Sequence, residues 1–168
     1  MTTRTLTPVP LSAAAFAPFG DVIEARGAAR AINEGHAERY HDLAALDLIA
    51  DNGRAIISIF RSTPPVYPLI LRSMENHPLS SQAFMPLSGR SFLVVVAPAG
   101  PFDAAKLAAF VAAPHQGVNI HKGVWHHFNL AVGETSDFLV IDRDGSGANL
   151  EEITLSETIL LAAPAQKS

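Results

Sequence analysis

The sequence contains no cysteine, and this absence narrows the chemistry that the protein can perform. Without thiols there is no disulfide framework, no cysteine nucleophile and no thiolate metal site. Any bound metal must therefore be held by histidine, aspartate, glutamate, glutamine or backbone oxygen.

Basic charge and long apolar runs are also scarce. Three lysines and nine arginines stand against 16 acidic residues, which gives a formal net charge of -4 and no basic stripe. Phosphate backbones require such a stripe, so we expect no nucleic-acid partner. No segment approaches the roughly 20 apolar residues that span a bilayer, and the first residues lack the apolar run of a secretion signal. We therefore expect a cytoplasmic protein that does not associate with membranes.

The chain does contain enough apolar material for a core. Its 168 residues are 48% hydrophobic and 17% charged, a composition typical of a folded domain and not of a disordered chain or a coiled coil. Domains of about 100 to 150 residues are the commonest size. We expect one domain over residues 1–168, with residues 164–168 as a frayed C-terminal tail.

Short β-type runs separated by proline and glycine dominate the chain from Ala55 onward. Helical segments that could connect parallel strands are too few for a doubly wound sheet. The spacing therefore predicts a mainly β protein with an antiparallel sandwich or barrel. The predicted strands are Ile56–Phe60, Pro68–Arg72, Gln82–Pro86, Phe92–Ala97, Gly117–Ile120 and Phe138–Ile141.

Three other segments have different patterns. In Leu11–Gly20, Ser12 can cap a short helix that the following proline and glycine end. Asp103–Ala112 has apolar residues on one helical face and is predicted as a helix capped by Asp103. Glu151–Leu161 is amphipathic but short.

Three of the seven histidines and the only tryptophan lie in Gly117–Phe128. Imidazole has an unperturbed pKa of about 6.5 and is the commonest nitrogen ligand of metals, so this stretch is a candidate for part of a catalytic site. Neighbouring residues of a strand project from opposite faces, which separates His126 from His127. At most one or two of the three histidines can therefore face one cavity. His127, beside Trp125, is predicted to be a packing or interface residue, and a role for His121 is left open.

A second polar group begins at Glu75. Glu75 and His77 are two residues apart, so they share one face of an extended segment, and Gln82 returns on the next strand after a turn. These groups can meet inside a barrel. The alternative is that Glu75 and His77 are solvated edge residues and that Gln82 only satisfies a backbone group.

The two stretches together resemble the two sequence motifs of the cupin barrels. The resemblance implies an antiparallel cupin-like β-barrel (double-stranded β-helix) with a few short helices. Glu75 stands where the family has a histidine, Gln82 where it has an acid, and His121 where it has a proline. The implied metal ligands form a nitrogen and oxygen set suited to an octahedral ion such as nickel or manganese, with glutamine the weakest ligand. They are Glu75, His77, Gln82 and His126.

A closer resemblance covers nearly the whole chain. Six separated strings, in the same order, look like those of the ureidoglycolate lyases of the allantoin pathway, formerly called ureidoglycolate hydrolases. The resemblance implies a homodimeric cupin-like enzyme that releases urea and glyoxylate from the small molecule (S)-ureidoglycolate, with nickel or another divalent metal and no organic cofactor. The strings lie in 19–24, 38–43, 57–61, 77–86, 117–127 and 137–143.

Cleavage of ureidoglycolate requires two proton transfers. The hydroxyl proton must leave as the carbon–nitrogen bond breaks, and the urea nitrogen must gain a proton. On the resemblance, His126 or His77 acts as the base, and Glu75 or a metal-bound water assists the leaving nitrogen. A metal would offer a second route by binding the carboxylate and hydroxyl oxygens of the substrate.

The substrate carboxylate and urea groups also need partners. A planar guanidinium can donate two parallel hydrogen bonds to a carboxylate. The candidates to bind the substrate carboxylate are therefore Arg39, Arg61 and Arg143. Gln82, Asn119 and backbone groups are candidates to bind the urea end. For each arginine the alternative is a surface ion pair, which contributes only about 0 to 1 kcal/mol.

Three other functions compete with the lyase. An amidohydrolase acting on the same substrate would release ammonia and carbon dioxide instead of urea. A non-catalytic barrel that binds a small ligand is compatible with the altered cupin positions. A metal-dependent cupin oxygenase is disfavoured because the first motif lacks its usual histidine and acid.

Overall fold

The computed structural model describes residues 3–165, and most of this chain is folded into short β-strands. The strands are β1 (Thr3–Leu6), β2 (Val9–Pro10), β3 (Gly20–Ile23), β4 (Arg30–Ile32), β5 (Ala37–Arg39), β6 (Arg54–Ser62), β7 (Leu69–Asn76), β8 (Gln82–Pro86), β9 (Phe92–Ala97), β10 (Ala108–Ala112), β11 (Gly117–Ile120), β12 (Trp125–His126), β13 (Leu130–Ala131), β14 (Ser136–Asp144) and β15 (Glu151–Leu161). The helical elements of the described chain are α1 (Ala13–Phe16) and the 3₁₀ turns Asn33–Gly35, Ala50–Asn52 and Ala104–Lys106.

The strands form two main sheets and a separate hairpin. Sheet A has the order β1-β15-β7-β12-β9-β10-β2, with β13 also paired to β9, and sheet B has the order β3-β11-β8-β14-β6. The pairs β1–β15 and β10–β2 are parallel, and the other pairs are antiparallel. The hairpin consists of β4 and β5. The mainly β, cupin-like class predicted from the sequence is confirmed, as are the six predicted strands.

An apolar core lies between the two sheets, because alternate residues of each strand face inward. Phe92 of sheet A meets Phe138 of sheet B with ring centroids 5.2 Å apart and planes at 73°. On β14 the inward row runs from Phe138 through Val140 to Asp142, and on β8 it runs from Phe84 back to Gln82. The interior therefore changes from apolar to polar toward one end of the same strands.

Helix α1 closes part of this core. The Ser12 hydroxyl accepts a hydrogen bond from the Ala15 amide at 3.3 Å, as the cap prediction requires. Phe16 is fully buried, and its ring lies 5.5 Å from that of Phe110. The segment is thus a packing element.

The helix predicted over Asp103–Ala112 is wrong. Asp103 caps only a short 3₁₀ turn, and the chain then continues as strand β10. Phe110 and Ala112 join the core between the sheets, whereas Ala109 and Val111 join a second apolar cluster on the other face of sheet A. A strand buried on both faces is apolar at nearly every position, so its sequence also satisfies a helical pattern.

The C-terminal segment ends the fold as a strand. Glu151–Leu161 forms β15, in which Ile159 and Leu161 are buried, and its amphipathic character is that of a strand with one packed face. Of the predicted tail, residues 166–168 lie outside the described residues. Within the described part, no helix has the length and apolar character needed to cross a bilayer.

The segment between β5 and β6 crosses sheet B as an irregular strap, residues 40–53. Its Leu48 is buried. The Ser81 amide donates to the Asp47 carbonyl, and the Asp47 amide donates to the Ser81 hydroxyl, both at 2.9 Å. The strap is therefore fixed beside the turn that joins β7 to β8, where the polar end of the interior begins.

Candidate active site

Two strands of sheet A bring an acid and two histidines together. His126 of β12 lies directly opposite Glu75 of β7, and its Nδ1 is 3.7 Å from the Glu75 Oε1. His77 follows the end of β7, and its ring centroid lies 5.1 Å from that of His126. One ligand-type atom of each of these three residues lies within 4.8 Å of the others. We call this group the triad.

Hydrogen bonds fix the ring of His77. Its Nδ1 lies 2.7 Å from the backbone carbonyl of Asn149, which can only accept, so Nδ1 carries a hydrogen. Its Nε2 lies 3.3 Å from the Gln82 Oε1. When the ring is neutral, Nε2 and Oε1 are both acceptors and form no hydrogen bond. When Nε2 is protonated, it can donate a hydrogen bond to Oε1. Gln82 is thus placed to stabilise His77 once the ring has taken up a proton.

His126 is held as a neutral imidazole. Burial lowers the pKa of His126 to about 3, and the charge of His77 acts in the same direction. Its Nδ1 lies 3.2 Å from the His127 carbonyl. Among residues 3–165 its buried Nε2 has no hydrogen-bond partner. The ring therefore keeps a lone pair at neutral pH, and its low pKa makes it a weak acceptor of protons.

The pKa of Glu75 is raised, whereas that of His126 is lowered. Burial raises the pKa of Glu75, the charge of His77 lowers it, and Glu152, its cross-strand neighbour on β15, raises it again. A carboxyl group of this kind holds a proton more readily than one in water, which suits it to proton transfer near neutral pH.

A cavity of about 290 Å³ adjoins the triad at His77. Asp142, the last residue of the inward row on β14, also borders it. Burial raises the pKa of Asp142, and the neighbouring Gln82 amide and the charge of His77 lower it. The cavity is small, and six of its seven lining residues have polar side chains. Its lining residues are His77, Ser80, Gln82, Asp142, Arg143, Asn149 and Leu150.

Arg143 supplies a buried cation to this cavity. Its Nε and Nη2 donate to the carbonyls of Ala50, Asp51 and Ser146 at 2.6 to 3.3 Å, which joins the strap to the turn after β14. Within the described chain no carboxylate oxygen lies within 4 Å of its guanidinium. The positive charge of Arg143 is thus offset by carbonyl dipoles and remains available to attract an anion.

The other two predicted substrate-binding arginines do not border the cavity. Arg61 is mostly exposed and pairs with Asp137 through two contacts of 2.7 and 2.9 Å. Arg39 ends the β4–β5 hairpin and borders a different surface groove with Tyr40 and Glu24. In a single chain, only Arg143 of the three candidates reaches the site.

The remaining histidines of Gly117–Phe128 have other surroundings. His121 Nε2 lies 3.1 Å from Asp21 Oδ2, close to the strap and away from the triad. His127 borders a small apolar space in the core, where burial lowers its pKa. The structure thus places one of the three histidines, His126, in the triad.

The donors of the triad fit a divalent metal ion. They comprise two imidazoles and one carboxylate, and a nitrogen and oxygen set of this kind is typical of nickel, manganese and related ions. His77 gives its Nδ1 hydrogen to a backbone carbonyl, an arrangement common for metal-binding histidines. The buried ring nitrogen of His126 that lacks a partner also fits a ligand role.

Sequence reasoning did not find two residues of this site. Ser80 and Asn149 border the cavity, and Asn149 contacts His77 from 72 positions away. Neither belongs to a motif with a known spacing. Asn149 reaches the site through the pairing of β15 with β7, which single-sequence patterns do not give.

The chain is similar over nearly its whole length to known proteins. The family model described as ureidoglycolate lyase matches residues 3–162. A ureidoglycolate lyase of Burkholderia mallei (strain NCTC 10229) is 52% identical over 159 residues, covering 94% of each chain. That of Stutzerimonas stutzeri (strain A1501) is 49% identical over 168 residues, covering 98% of this chain and 99% of the relative.

One solved structure is a distant match. A dTDP sugar isomerase of Desulfovibrio desulfuricans G20 superposes with a TM-score of 0.46 and 15% identity, covering 81% of this chain and 85% of that one. This likeness is too weak to carry an argument. The identity of about half of all residues, the family match and the convergence of Glu75, His77 and His126 agree with one another. The chain belongs to the ureidoglycolate lyase family.

Proposed function

We propose that the protein cleaves (S)-ureidoglycolate to glyoxylate and urea, in the recovery of nitrogen from allantoin and other purine products in the cytoplasm. The observation that carries this proposal is the convergence of Glu75, His77 and His126 beside a small cavity that is lined by polar side chains and contains a buried guanidinium. This arrangement offers proton carriers for the reaction and a cation for the substrate carboxylate.

The proton transfers follow from the states of the side chains. His77 Nε2 takes the hydroxyl proton of the substrate, and Gln82 Oε1 accepts a hydrogen bond from the resulting N–H. The oxygen–hydrogen and carbon–nitrogen bonds break as the carbonyl of glyoxylate forms. Glu75, whose pKa is raised by burial, gives its proton to the departing urea nitrogen. Proton exchange with water then restores both groups.

Binding of the substrate relies on the rest of the cavity wall. We propose that the positive charge of Arg143 attracts the substrate carboxylate. The Nε and Nη2 of Arg143 already donate hydrogen bonds to backbone carbonyls. The amide of Gln82 borders the same cavity and can bind the urea end. His126 remains neutral and lies opposite Glu75 in the strand pair, with its Nδ1 3.7 Å from the carboxylate.

A divalent metal, with Ni²⁺ the first candidate, would be held by Glu75, His77 and His126, with Gln82 as a weaker neighbour. When bound, such an ion supplies a Lewis acid that stabilises negative charge developing on oxygen. His77 Nε2 and the Glu75 carboxylate cannot bind an ion and carry a proton at the same time, so the proton transfers described above belong to the metal-free site. A bound ion would offer a second route, in which these side chains hold the ion and the rest of the cavity wall binds and orients the substrate.

The first prediction concerns activity. His77→Ala and Glu75→Gln should each lower urea formation by about 10²- to 10⁴-fold, because each removes one proton carrier. Urea, glyoxylate and ammonia should be measured together from purified protein. His115→Ala is the matched control, since the His115 side chain is 74% exposed and far from the triad, and it should leave the rate unchanged.

The products also separate the competing functions. Ammonia without urea would assign the chain to amidohydrolases. Binding of ureidoglycolate without turnover would indicate a non-catalytic barrel. If both His77→Ala and Glu75→Gln turned over at the rate of the unmodified protein, the proposed proton carriers would be wrong.

The second prediction concerns the metal. Treatment with a chelator should lower urea formation, and Ni²⁺ or Mn²⁺ should restore it. The metal content of Glu75→Gln, measured by mass spectrometry after dialysis against Ni²⁺, should fall below that of the unmodified protein. Equal content in both proteins would remove Glu75 from the ligand set.

The third prediction tests the neutral state of His126 through stability. A histidine whose pKa is about 3 when folded and about 6.5 when unfolded binds a proton first in the unfolded chain. Lowering the pH from 6.5 toward 3 therefore costs folding free energy, by about 1 kcal/mol per unit. His126→Gln removes this cost, so the free energy of unfolding should fall less steeply with decreasing pH in the variant.

The measurement is urea-induced unfolding at pH 6 and pH 5 with chelator present, comparing the two proteins. The raised pKa of Glu75 acts in the opposite direction, favouring the folded state at low pH, but it is present in both. Parallel pH dependences would show that His126 is not held neutral.

We also propose that the protein is a homodimer and that copies meet through the outer face of sheet B. On this face Ile57 lies opposite Ile141, and Ile59 opposite Leu139, and the two isoleucines are 70% and 55% exposed. Opposite charges flank the patch at both ends, Arg54 with Asp144 and Arg61 with Asp137. Such a patch is self-complementary about a twofold axis. Roles for Arg61 and Arg39 in substrate binding would require this second copy.

The fourth prediction tests this face. Ile57→Glu should shift the protein toward the monomer in sedimentation velocity, because the charge must be buried in the interface. Val66→Glu is the control, since Val66 is 87% exposed in the loop that follows β6. A dimer that persists in Ile57→Glu would place the interface elsewhere.

A further inference from the structure

Three polar groups of Asn149 form hydrogen bonds with one turn of the site. Its backbone carbonyl accepts from His77 Nδ1 at 2.7 Å. Its side-chain Oδ1 accepts from the Leu79 amide, and its Nδ2 donates to the Ser80 hydroxyl, both at 2.8 Å. Asn149 thus binds the ring of His77 and also binds Leu79 and Ser80 in the turn that follows it.

These bonds restrict His77 in two ways. The carbonyl contact requires the hydrogen to be on Nδ1, so the lone pair of the neutral ring is on Nε2, toward Gln82. The two side-chain contacts hold the carbonyl and the turn in a fixed relation, which limits rotation of the ring. The backbone carbonyl of His77 also accepts from the Gly123 amide at 3.0 Å, in the turn before β12. The same turn is thereby connected to the strand that carries His126.

We propose that Asn149 is a positioning residue for catalysis, which sets the tautomer and orientation of His77 without touching the substrate's reacting atoms. This inference rests on the proposed role of His77 as the base. A ring with Nδ1 fixed presents Nε2 for proton transfer, whereas a ring free to change tautomer or rotate presents it only part of the time. The side chain of Asn149 therefore affects the rate although its carbonyl makes the contact.

The pairing around Asn149 indicates that a variant will fold. Strand β15 begins two residues later, and its first pairs are Glu151 with Asn76 and Glu152 with Glu75. These backbone bonds do not depend on the Asn149 side chain. Removal of that side chain frees the turn while β7 and β15 remain paired.

The fifth prediction compares Asn149→Ala, Asn149→Asp and the unmodified full-length chain. Asn149→Ala should lower kcat by about 10- to 100-fold, the usual effect of losing a residue that orients a catalytic or ligand histidine, with KM changed much less. Asn149→Asp keeps an acceptor for the Leu79 amide, and the Ser80 hydroxyl can donate to it. It should recover most of the lost rate.

A second readout is independent of the reaction. In ¹⁵N-labelled protein, with the His77 signals assigned by their loss in His77→Ala, the ring nitrogens should show one tautomer with hydrogen on Nδ1. Asn149→Ala should show a mixture of tautomers. Asn129→Ala is the matched control, because Asn129 also donates to a serine hydroxyl, that of Ser62 at 3.2 Å, but does not contact His77. It should alter neither kcat nor the tautomer.

The two readouts separate failure of this inference from failure of the proposed function. If the unmodified protein releases no urea but the tautomer changes in Asn149→Ala, the activity is wrong and the positioning holds. If Asn149→Ala keeps both a single tautomer and the full rate, Asn149 does not position His77. Should Asn149→Ala fail to fold, Ser80→Ala removes one of its bonds alone and should lower kcat and mix the tautomers, and an unchanged kcat and tautomer in Ser80→Ala would overturn the proposal.

Discussion

The site depends on the cost of placing ionisable groups inside an apolar barrel. His126 lies within the strands of sheet A and is fully buried, so its charged form is strongly disfavoured. Glu75 faces it across the strand pair and is shifted by the same loss of solvent toward its protonated form. Burial therefore keeps His126 as a neutral imidazole with a lone pair and moves Glu75 toward its protonated form, which can donate a proton.

The cost of burying charge also explains why backbone carbonyl groups hold the guanidinium of Arg143. A carboxylate paired to Arg143 would neutralise the charge that an anionic substrate needs, whereas carbonyl dipoles hold the guanidinium and leave its net charge in place. The strap and the turn after β14 supply these carbonyls. They give the cavity wall a fixed positive charge, while Asp142 remains a separate acid on the same wall.

Much of the strand framework could be predicted because alternation and turn residues act locally. Six predicted strands coincide with β6, β7, β8, β9, β11 and β14, and the spacing of Glu75, His77 and His126 was sufficient to propose that they meet. The helix over Asp103–Ala112 failed because both faces of β10 are buried, which removes the alternation. The partners of His77 could not be predicted, since Asn149 reaches it only through long-range strand pairing.

The turn that follows β7 has a consequence for how the protein reaches its working form. It is held by Asp47, Gly123 and Asn149, three segments that are remote from one another in the sequence. These contacts can form only after the strands on either side have brought the three segments together, and they are few compared with the bonds that pair the strands. The geometry of His77 should therefore be among the last features acquired in folding. A protein that still has all of its strands can already have lost the geometry of His77, the proposed base.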